Sequence, residues 1–271
     1  MINYCGRFRQ ETQNLPVNNP WITNHYTMKS KKIKKILFIA LISGIFIIGC
    51  LILIAYVRTW GKTDMEFRIH INEQLVRESV FGESPTFAIW IEYPKTGATQ
   101  TIFVTSRAGL GDWEGKADVP VALPKWFGVN RTETQMQNQS SEEIPAPHAV
   151  TGATPKPGYF TTRVRVKPGS KWICWIEMNL AGDFNKQYKE YDEVNKTTDE
   201  YASGQPALIY KAEVEAVEGN TVIIEVVGMC LLNSGDGEII HPLKGITTAM
   251  DVFDEMSIVV VKPKPRIIEH R

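Results

Sequence analysis

One uninterrupted apolar segment constrains this chain more than any other feature. Residues 36–57 contain no charged residue and no proline. About twenty such residues are enough to cross a bilayer as a helix, because a helix bonds its own backbone polar groups internally. The segment therefore predicts a single transmembrane helix that acts as a signal-anchor.

The charges around this segment predict its orientation. Only Arg58 and Lys62 follow it closely, whereas its N-terminal side carries Lys29, Lys31, Lys32, Lys34 and Lys35. Basic residues stay on the cytoplasmic side of a bilayer. We therefore expect a single-pass protein of the bacterial inner or cytoplasmic membrane, with the following domain on the periplasmic or extracellular side.

The membrane segment divides the chain into regions of different character. We interpret 1–35 as a cytoplasmic tail, 58–64 as a linker, 65–262 as one extracytoplasmic domain and 263–271 as a C-terminal tail. The beginning of the tail shows no apolar period, so Met28 is a candidate for the true start.

A competing interpretation concerns Cys50. The tetrad Ile47-Ile48-Gly49-Cys50 resembles a lipobox, in which the cysteine is lipidated and the preceding chain is removed. The apolar run continues to Val57, whereas lipoproteins usually turn polar after this cysteine. The sequence favours the uncleaved anchor, and both interpretations tether the domain to the membrane.

Charge and cysteine content narrow the function classes. The chain carries 30 basic and 30 acidic residues, so no basic surplus meets phosphates and we expect no nucleic-acid partner. An oxidising compartment permits a disulfide between Cys174 and Cys230. Both lie in apolar strand-like runs, which suit buried free thiols equally well. No Cys/His spacing indicates zinc.

From residue 65 onward, apolar residues alternate with polar ones, which is the period of a half-buried strand. With short turns and no alternating helices, this pattern predicts an all-β fold, an antiparallel β-sandwich. Two hairpins are predicted, one turning at 94–97 and one at Pro168-Gly169.

The rest of the domain gives further predictions. Strands are expected over 208–217, 221–232 and 257–261, the second of them more uniformly apolar than the others and therefore central. One short helix is expected over 248–253, with Thr248 and Asp251 spaced as a capping box.

Three segments interrupt the strand pattern. Residues 106–128 resemble a long ordered excursion, 129–150 predict a flexible surface loop, and 182–205 form a polar insertion. Long loops in a compact domain are often functional, so a site should be sought there.

Four segments between residues 64 and 262 carry a resemblance to other proteins: Phe87 to Glu92, Thr151 to Pro155, Trp175 to Asn179 with Asp183 and Asn185, and Gly204 to Tyr210. Together they resemble a family of predicted periplasmic bacterial proteins called domain of unknown function 2271. The resemblance implies a periplasmic β-rich domain. None of the segments is a catalytic signature.

The sharpest chemical candidate is the run from His148 to Thr154. It resembles the acceptor motif on which bacterial flavin transferases attach FMN to a threonine hydroxyl through a phosphoester, with Thr151, Gly152 and Ala153 leading to the acceptor, Thr154. Small residues before the acceptor would let an enzyme approach it. His148 replaces the usual Asp, and Pro155 follows the acceptor. A surface turn explains the same residues.

Other candidates are weaker. Asp183 and Asn185 offer oxygen ligands of the kind calcium takes, but their spacing fits no EF-hand and a solvated loop is the better interpretation. His70 and His241 are isolated in the sequence, and no catalytic elbow, zincin helix or phosphate loop is present. Aromatic residues suit either a binding platform or a sandwich core: Trp113, Trp126, Trp172 and Trp175.

Two function classes follow from these features. The first is a binding or accessory module of the bacterial envelope, without chemistry of its own. The second is an electron-transfer accessory that carries FMN on Thr154 and serves a membrane redox protein. An enzyme is the less favoured interpretation.

Overall fold

The structure is a computed structural model that describes residues 20–110, 112–113, 116–117, 122–139, 150–199, 202–231 and 237–265. Its contacts divide the chain into two compact units, Met1–Val57 and Arg58–Arg271. The predicted hydrophobic helix dominates the first unit, and an all-β domain makes up the second.

Helix α1 runs from Pro20 to Thr59. Within residues 33–59, the most apolar stretch of 18 residues has a mean hydropathy of 3.1, and none of that stretch is buried within the protein. Apolar side chains that face outward along a whole helix suit a hydrocarbon environment. The predicted single apolar helix is therefore confirmed, although it begins well before residue 36.

The second unit contains two main sheets, a small sheet of four strands and a large sheet of six strands. The strands in chain order are β1 Thr63–Ile71, β2 Thr86–Tyr93, β3 Ala98–Thr105, β4 Asp112–Trp113, β5 Lys116–Ala117, β6 Val150–Gly152, β7 Gly158–Val166, β8 Lys171–Asn179, β9 Tyr191–Asp192, β10 Thr197–Thr198, β11 Ala207–Glu215, β12 Thr221–Ile223, β13 Glu225–Cys230 and β14 Phe253–Val261.

The small sheet has the order β12-β14-β1-β7 and the large sheet the order β13-β11-β8-β2-β3-β6. All pairs in them are antiparallel except the parallel pair of β3 with β6. The described helical segments of this unit are α2 Glu73–Glu78, α3 Ser106–Leu110, α4 Pro124–Gln139 and a 3-10 turn Thr248–Asp251. The predicted β-sandwich is confirmed.

The two sheets share one core, in which aromatic rings from both sheets meet. Phe87 of β2 lies 5.1 Å from Phe103 of β3, 5.4 Å from Phe160 of β7 and 5.3 Å from Phe253 of β14, measured between ring centroids. The last two contacts are edge-on, the arrangement that aromatic pairs favour. Phe87 therefore joins the inner faces of the two sheets.

Alternation along β1 shows why the sequence forms this sandwich. Phe67 and Ile69 are buried against the large sheet, while Glu66 and Arg68 belong to the opposite face. Successive strand residues point to opposite sides, so one apolar face is placed inward along the whole strand.

The hairpin predicted around 94–97 is confirmed, because β2 and β3 pair antiparallel from Tyr93 with Ala98 to Ala88 with Val104, with one register shift between Ile89 and Trp90. The hairpin predicted around Pro168-Gly169 is wrong. Strand β7 pairs with β1 in the small sheet, whereas β8 pairs with β2 and β11 in the large sheet. This turn carries the chain from one sheet to the other.

The single central strand predicted over 221–232 is also wrong. The chain forms β12 in the small sheet, passes through the buried residue Ile224 and continues as β13 in the large sheet. Strand β13 is an edge strand. Val222, Ile224 and Met229 of this run pack against the shared core, whereas Ile223 is 71% exposed.

Two predictions about helices need correction. Residues 129–139, expected in a flexible loop, belong to α4, and residues 140–149 lie outside the described part of the chain. The capping box does not form, because the 3-10 turn over 248–251 has no side-chain cap and the Thr248 hydroxyl bonds to Asp183 instead. A tertiary contact has replaced a local one.

The aromatic contact between the sheets gives a stability prediction. Phe87→Ala should lower the free energy of unfolding by about 3–5 kcal/mol, because it opens a cavity where the two sheets meet. Urea denaturation would measure the change. As a control, Ile223→Ala, at a residue 71% exposed, should change it by less than about 0.5 kcal/mol. Equal losses in both variants would contradict the assignment of Phe87 to the shared core.

Candidate functional site

The predicted flavin-acceptor segment lies where the chain crosses between the sheets. Strand β6 pairs with β3 at the edge of the large sheet, and β7 begins at Gly158 in the small sheet. Thr154 lies in the irregular segment between them and is half-exposed, with Ala153 and Lys156 exposed nearby. His148 lies outside the described residues. Thr151 and Gly152 belong to β6.

Helix α4 covers part of the outer face of the large sheet. Trp126 is buried there in a small second cluster with Ala88, Trp90 and Val104. Its indole nitrogen donates a hydrogen bond of 3.2 Å to the Thr101 hydroxyl on β3. The helix is therefore attached to the sheet by apolar packing and by a specific polar contact.

Glu177 of β8 holds the beginning of this helix. Its two carboxylate oxygens accept hydrogen bonds from the backbone N–H groups of Lys125, at 3.0 Å, and Trp126, at 2.6 Å. The first N–H groups of a helix have no partner within the helix, and a carboxylate satisfies them well. A carboxylate from a distant strand thus caps the N-terminus of α4.

This carboxylate is completely buried. Burial raises the pKa of Glu177 to about 8, and the backbone hydrogen bonds from Trp126 and Lys125, with the charge of Lys125, oppose part of that rise. A group that titrates near neutral pH in a buried position is a candidate functional group. Its contacts here are those of a helix cap, so we assign it a structural role.

A second polar network gathers residues from the insertion at 182–205. One oxygen of Asp183 accepts a hydrogen bond of 2.7 Å from the Gln205 amide, and the other accepts one of 2.5 Å from the Thr248 hydroxyl. Burial raises the pKa of Asp183, while these two donors act to lower it. The start of the insertion is therefore packed into the domain, and the solvated loop expected there is not observed.

Asn185 belongs to the same network. Its side-chain oxygen accepts hydrogen bonds from the backbone of Gln187 and Tyr188, and its amide donates to the carbonyl of Gly245. The proposed calcium ligands therefore use their oxygens for hydrogen bonds within the protein. Among the described residues no group of three or more His, Cys, Asp or Glu could hold a metal ion.

Gly204 allows this network to close. It has a φ of +72°, and a Cβ added to it would lie 2.7 Å from the Asp183 carbonyl oxygen. Only glycine combines that conformation with so close an approach. The segments quoted for the family resemblance, around 175–185 and 204–210, are thus brought together at one end of the sandwich.

Cys174 and Cys230 do not form a disulfide. Cys174 pairs with Ala212 on β11 and faces the shared core, whereas Cys230 pairs with Ala207. Ala207 and Ala212 are five residues apart on β11, so their side chains lie on opposite faces of the sheet. The two thiols, each on the same face as its paired alanine, therefore point to opposite faces as well. Of the two alternatives, the structure selects buried free thiols.

The tryptophans do not form a single platform. Trp126 of α4 is buried against the large sheet, and Trp175 is half-buried, with its indole bonded to Glu92 and stacked on Trp90. Trp172 lines an open groove with Tyr93, the two rings 5.4 Å apart. The side chain of Trp113 lies outside the part of the chain that the structure describes.

The small sheet presents an open groove of about 560 Å³ on its outer side. We call this surface the open face and define it by Arg68, His70, Tyr159, Ile223 and Glu255. Tyr159 is 75% exposed and Ile223 71% exposed, so two large side chains lie beside the charged residues Arg68 and Glu255. Exposed aromatic and apolar groups beside charged ones are typical of protein-binding surfaces.

Contacts within the open face fix its side chains. His70 Nδ1 lies 2.6 Å from Asp254 Oδ1, its ring centroid lies 4.5 Å from that of Tyr159, and the Tyr159 hydroxyl donates a 3.0 Å hydrogen bond to Glu255. That bond to Glu255 raises the pKa of Tyr159. His70 is isolated in the sequence because its partners in the structure, Tyr159 of β7 and Asp254 of β14, lie far along the chain.

The helix-capping role of Glu177 is not evident from the sequence, although a signal of burial is present. A carboxylate within the apolar run from Cys174 to Met178 indicates a buried charge that needs partners. The partners themselves, two backbone N–H groups of α4, could not be read from the sequence.

Comparison with protein families, with curated proteins and with solved structures finds no match. Functional conclusions therefore rest on the residues and geometry of this chain.

The buried carboxylate predicts a pH dependence of stability. The pKa of Glu177 is about 8 in the folded protein against an ordinary value of 4.5, so the folded state binds the extra proton. Its stabilising contribution is complete below about pH 4.5 and is lost as the pH rises through 8, by a few kcal/mol. Urea denaturation between about pH 5 and 9 would show this decline.

Glu177→Gln should remove that decline, because the amide does not titrate. Glu213→Gln, at an exposed carboxylate, serves as the matched control and should keep it. An identical pH dependence in Glu177→Gln and the parent protein would contradict the assignment.

Proposed function

We propose that this protein is a membrane-anchored binding module of the bacterial envelope, with its β-sandwich outside the cytoplasm. The observation that carries the proposal is the open face, which joins exposed Tyr159 and Ile223 to an ordered set of charged side chains in a domain preceded by one apolar helix. A tethered domain with such a surface can recruit an envelope or membrane protein without chemistry of its own.

The charges around the apolar segment support the proposed side of the membrane. Five lysines precede the apolar segment, and cytoplasmic flanks are the ones rich in lysine and arginine. Trp60, just after the helix, is 83% exposed, and an amphipathic ring of this kind suits the membrane interface.

A topology experiment tests this arrangement. A reporter that is active only outside the cytoplasm, fused after Arg271, should be active, and one that is active only in the cytoplasm should be silent. Replacement of Lys31, Lys32, Lys34 and Lys35 by Gln should weaken or reverse this bias. A cytoplasmic C-terminus in the parent chain would refute the proposed localisation.

Crosslinking tests the binding role. A photoreactive residue at Ile223 or Tyr159, in the full chain in its native host, should capture a defined partner. The control position is Val194, which is 88% exposed in the segment between β9 and β10. Capture of the same proteins from all three positions, or from Val194 alone, would argue against the open face as the docking surface.

A second candidate function is an electron-transfer accessory with FMN on Thr154. Two observations favour it: the hydroxyl-bearing residue is half-exposed in irregular backbone, and the exposed Lys156 offers a positive charge near the added phosphate. In the transfer, the Thr154 oxygen would attack the FMN phosphorus of FAD. A phosphoester forms, the hydroxyl proton is released and AMP leaves. The redox partner would be a membrane protein.

Intact mass and visible absorption of the full chain from its native host test this candidate. A mass gain of one FMN should be present and should disappear in Thr154→Val, while Thr161→Val, at an exposed threonine of β7, should retain it. An unmodified, colourless parent protein would eliminate the flavin function and leave the binding module.

A further inference from the structure

Lysines collect at the end of the small sheet where the chain enters the sandwich. The register of β1 pairs Thr63 with Val166 of β7 and Asp64 with Val261 of β14, so the residues next to these pairs lie side by side. They include Lys62, Lys167 and Lys262, and Arg165 of β7 donates a 3.4 Å hydrogen bond to the backbone carbonyl of Lys264, which places that residue nearby. These four exposed lysines define the basic end.

Backbone hydrogen bonds hold this end together. The Gly169 N–H donates to the Ala216 carbonyl, and the Gly219 N–H donates to the Val260 carbonyl, each at 2.9 Å. The loop at 216–220 therefore lies against both the β7–β8 turn and the end of β14. The lysines are thus presented on a fixed scaffold of neighbouring turns and strand ends.

The carboxylates at the basic end leave its positive charge in excess. Asp64 is buried and forms an ion pair of 3.0 Å with Arg165. Glu218, next to Val217, is an exposed carboxylate in the loop at 216–220. None of the four lysines forms an ion pair with a described residue.

The opposite end of the sandwich has a different character. It carries many carboxylates, among them Glu73, Glu78, Asp251, Asp254 and Glu255, and its lysines include Lys186 and Lys189. The domain is therefore electrically asymmetric along its strands, although the net charge of the chain is zero.

Apolar side chains accompany the lysines. Trp60, two residues before Lys62, and Val217, in the adjoining loop, are exposed large hydrophobic residues. Lysines mixed with an exposed tryptophan are typical of surfaces that meet the headgroup region of a bilayer. We propose that the basic end of the sandwich binds anionic phospholipid headgroups and so orients the domain on the membrane.

This inference depends on the proposed membrane anchoring, and the test separates the two. The full chain is reconstituted into vesicles of phosphatidylcholine, with or without about one-third phosphatidylglycerol. Flotation with both kinds of vesicle tests the anchor alone. Acetylation of each lysine, followed by mass spectrometry, then tests contact with the lipid.

In phosphatidylglycerol vesicles, acetylation of Lys62, Lys167, Lys262 and Lys264 should slow by about threefold to tenfold, and high salt should restore it. Lys186 and Lys189, at the opposite end, serve as internal controls and should react equally in both vesicles. The double variant Lys167→Glu/Lys262→Glu should abolish the protection of Lys62 and Lys264, while the matched Lys186→Glu/Lys189→Glu should retain it.

Floating protein whose four lysines react at the same rate in both lipids would overturn the lipid surface while leaving the anchor in place. Equal protection in both lipids would assign the surface to a protein contact instead. Failure to float would overturn the anchor itself.

Discussion

The burial of two inner faces against each other is the constraint on which the domain depends. Phe87 touches aromatic rings from both sheets, and the chain crosses repeatedly between the sheets around this core. Since each sheet covers the apolar face of the other, neither would be stable alone. The outer faces, which carry the polar features, are positioned only because the inner faces are packed.

The two outer faces are used differently. The large sheet is partly covered by α4, whose N-terminus is satisfied by the buried carboxylate of Glu177. The small sheet leaves an open surface with paired charges and two exposed large side chains. A covered face contributes stability, whereas an open, ordered face is available for binding.

Polar residues at each end of the sandwich have distinct roles. At one end, Asp183, Gln205 and Gly204 form a closed network of hydrogen bonds that fixes a long insertion. At the other end, exposed lysines lie on turns that are held by backbone hydrogen bonds. In the first arrangement the side-chain polar atoms of Asp183 and Gln205 are hydrogen-bonded within the protein, while in the second the lysines are exposed.

The sequence by itself determined the long apolar helix, the strand periods and the all-β class, because these depend on residues close together in the chain. Tertiary structure decided which strands pair. The turn at Pro168-Gly169 looks the same in sequence whether its strands form a hairpin or change sheets, and the apolar run after Asn220 hides a switch at Ile224. The partners of Glu177 and His70 also come from distant segments, so only the fold could bring them together.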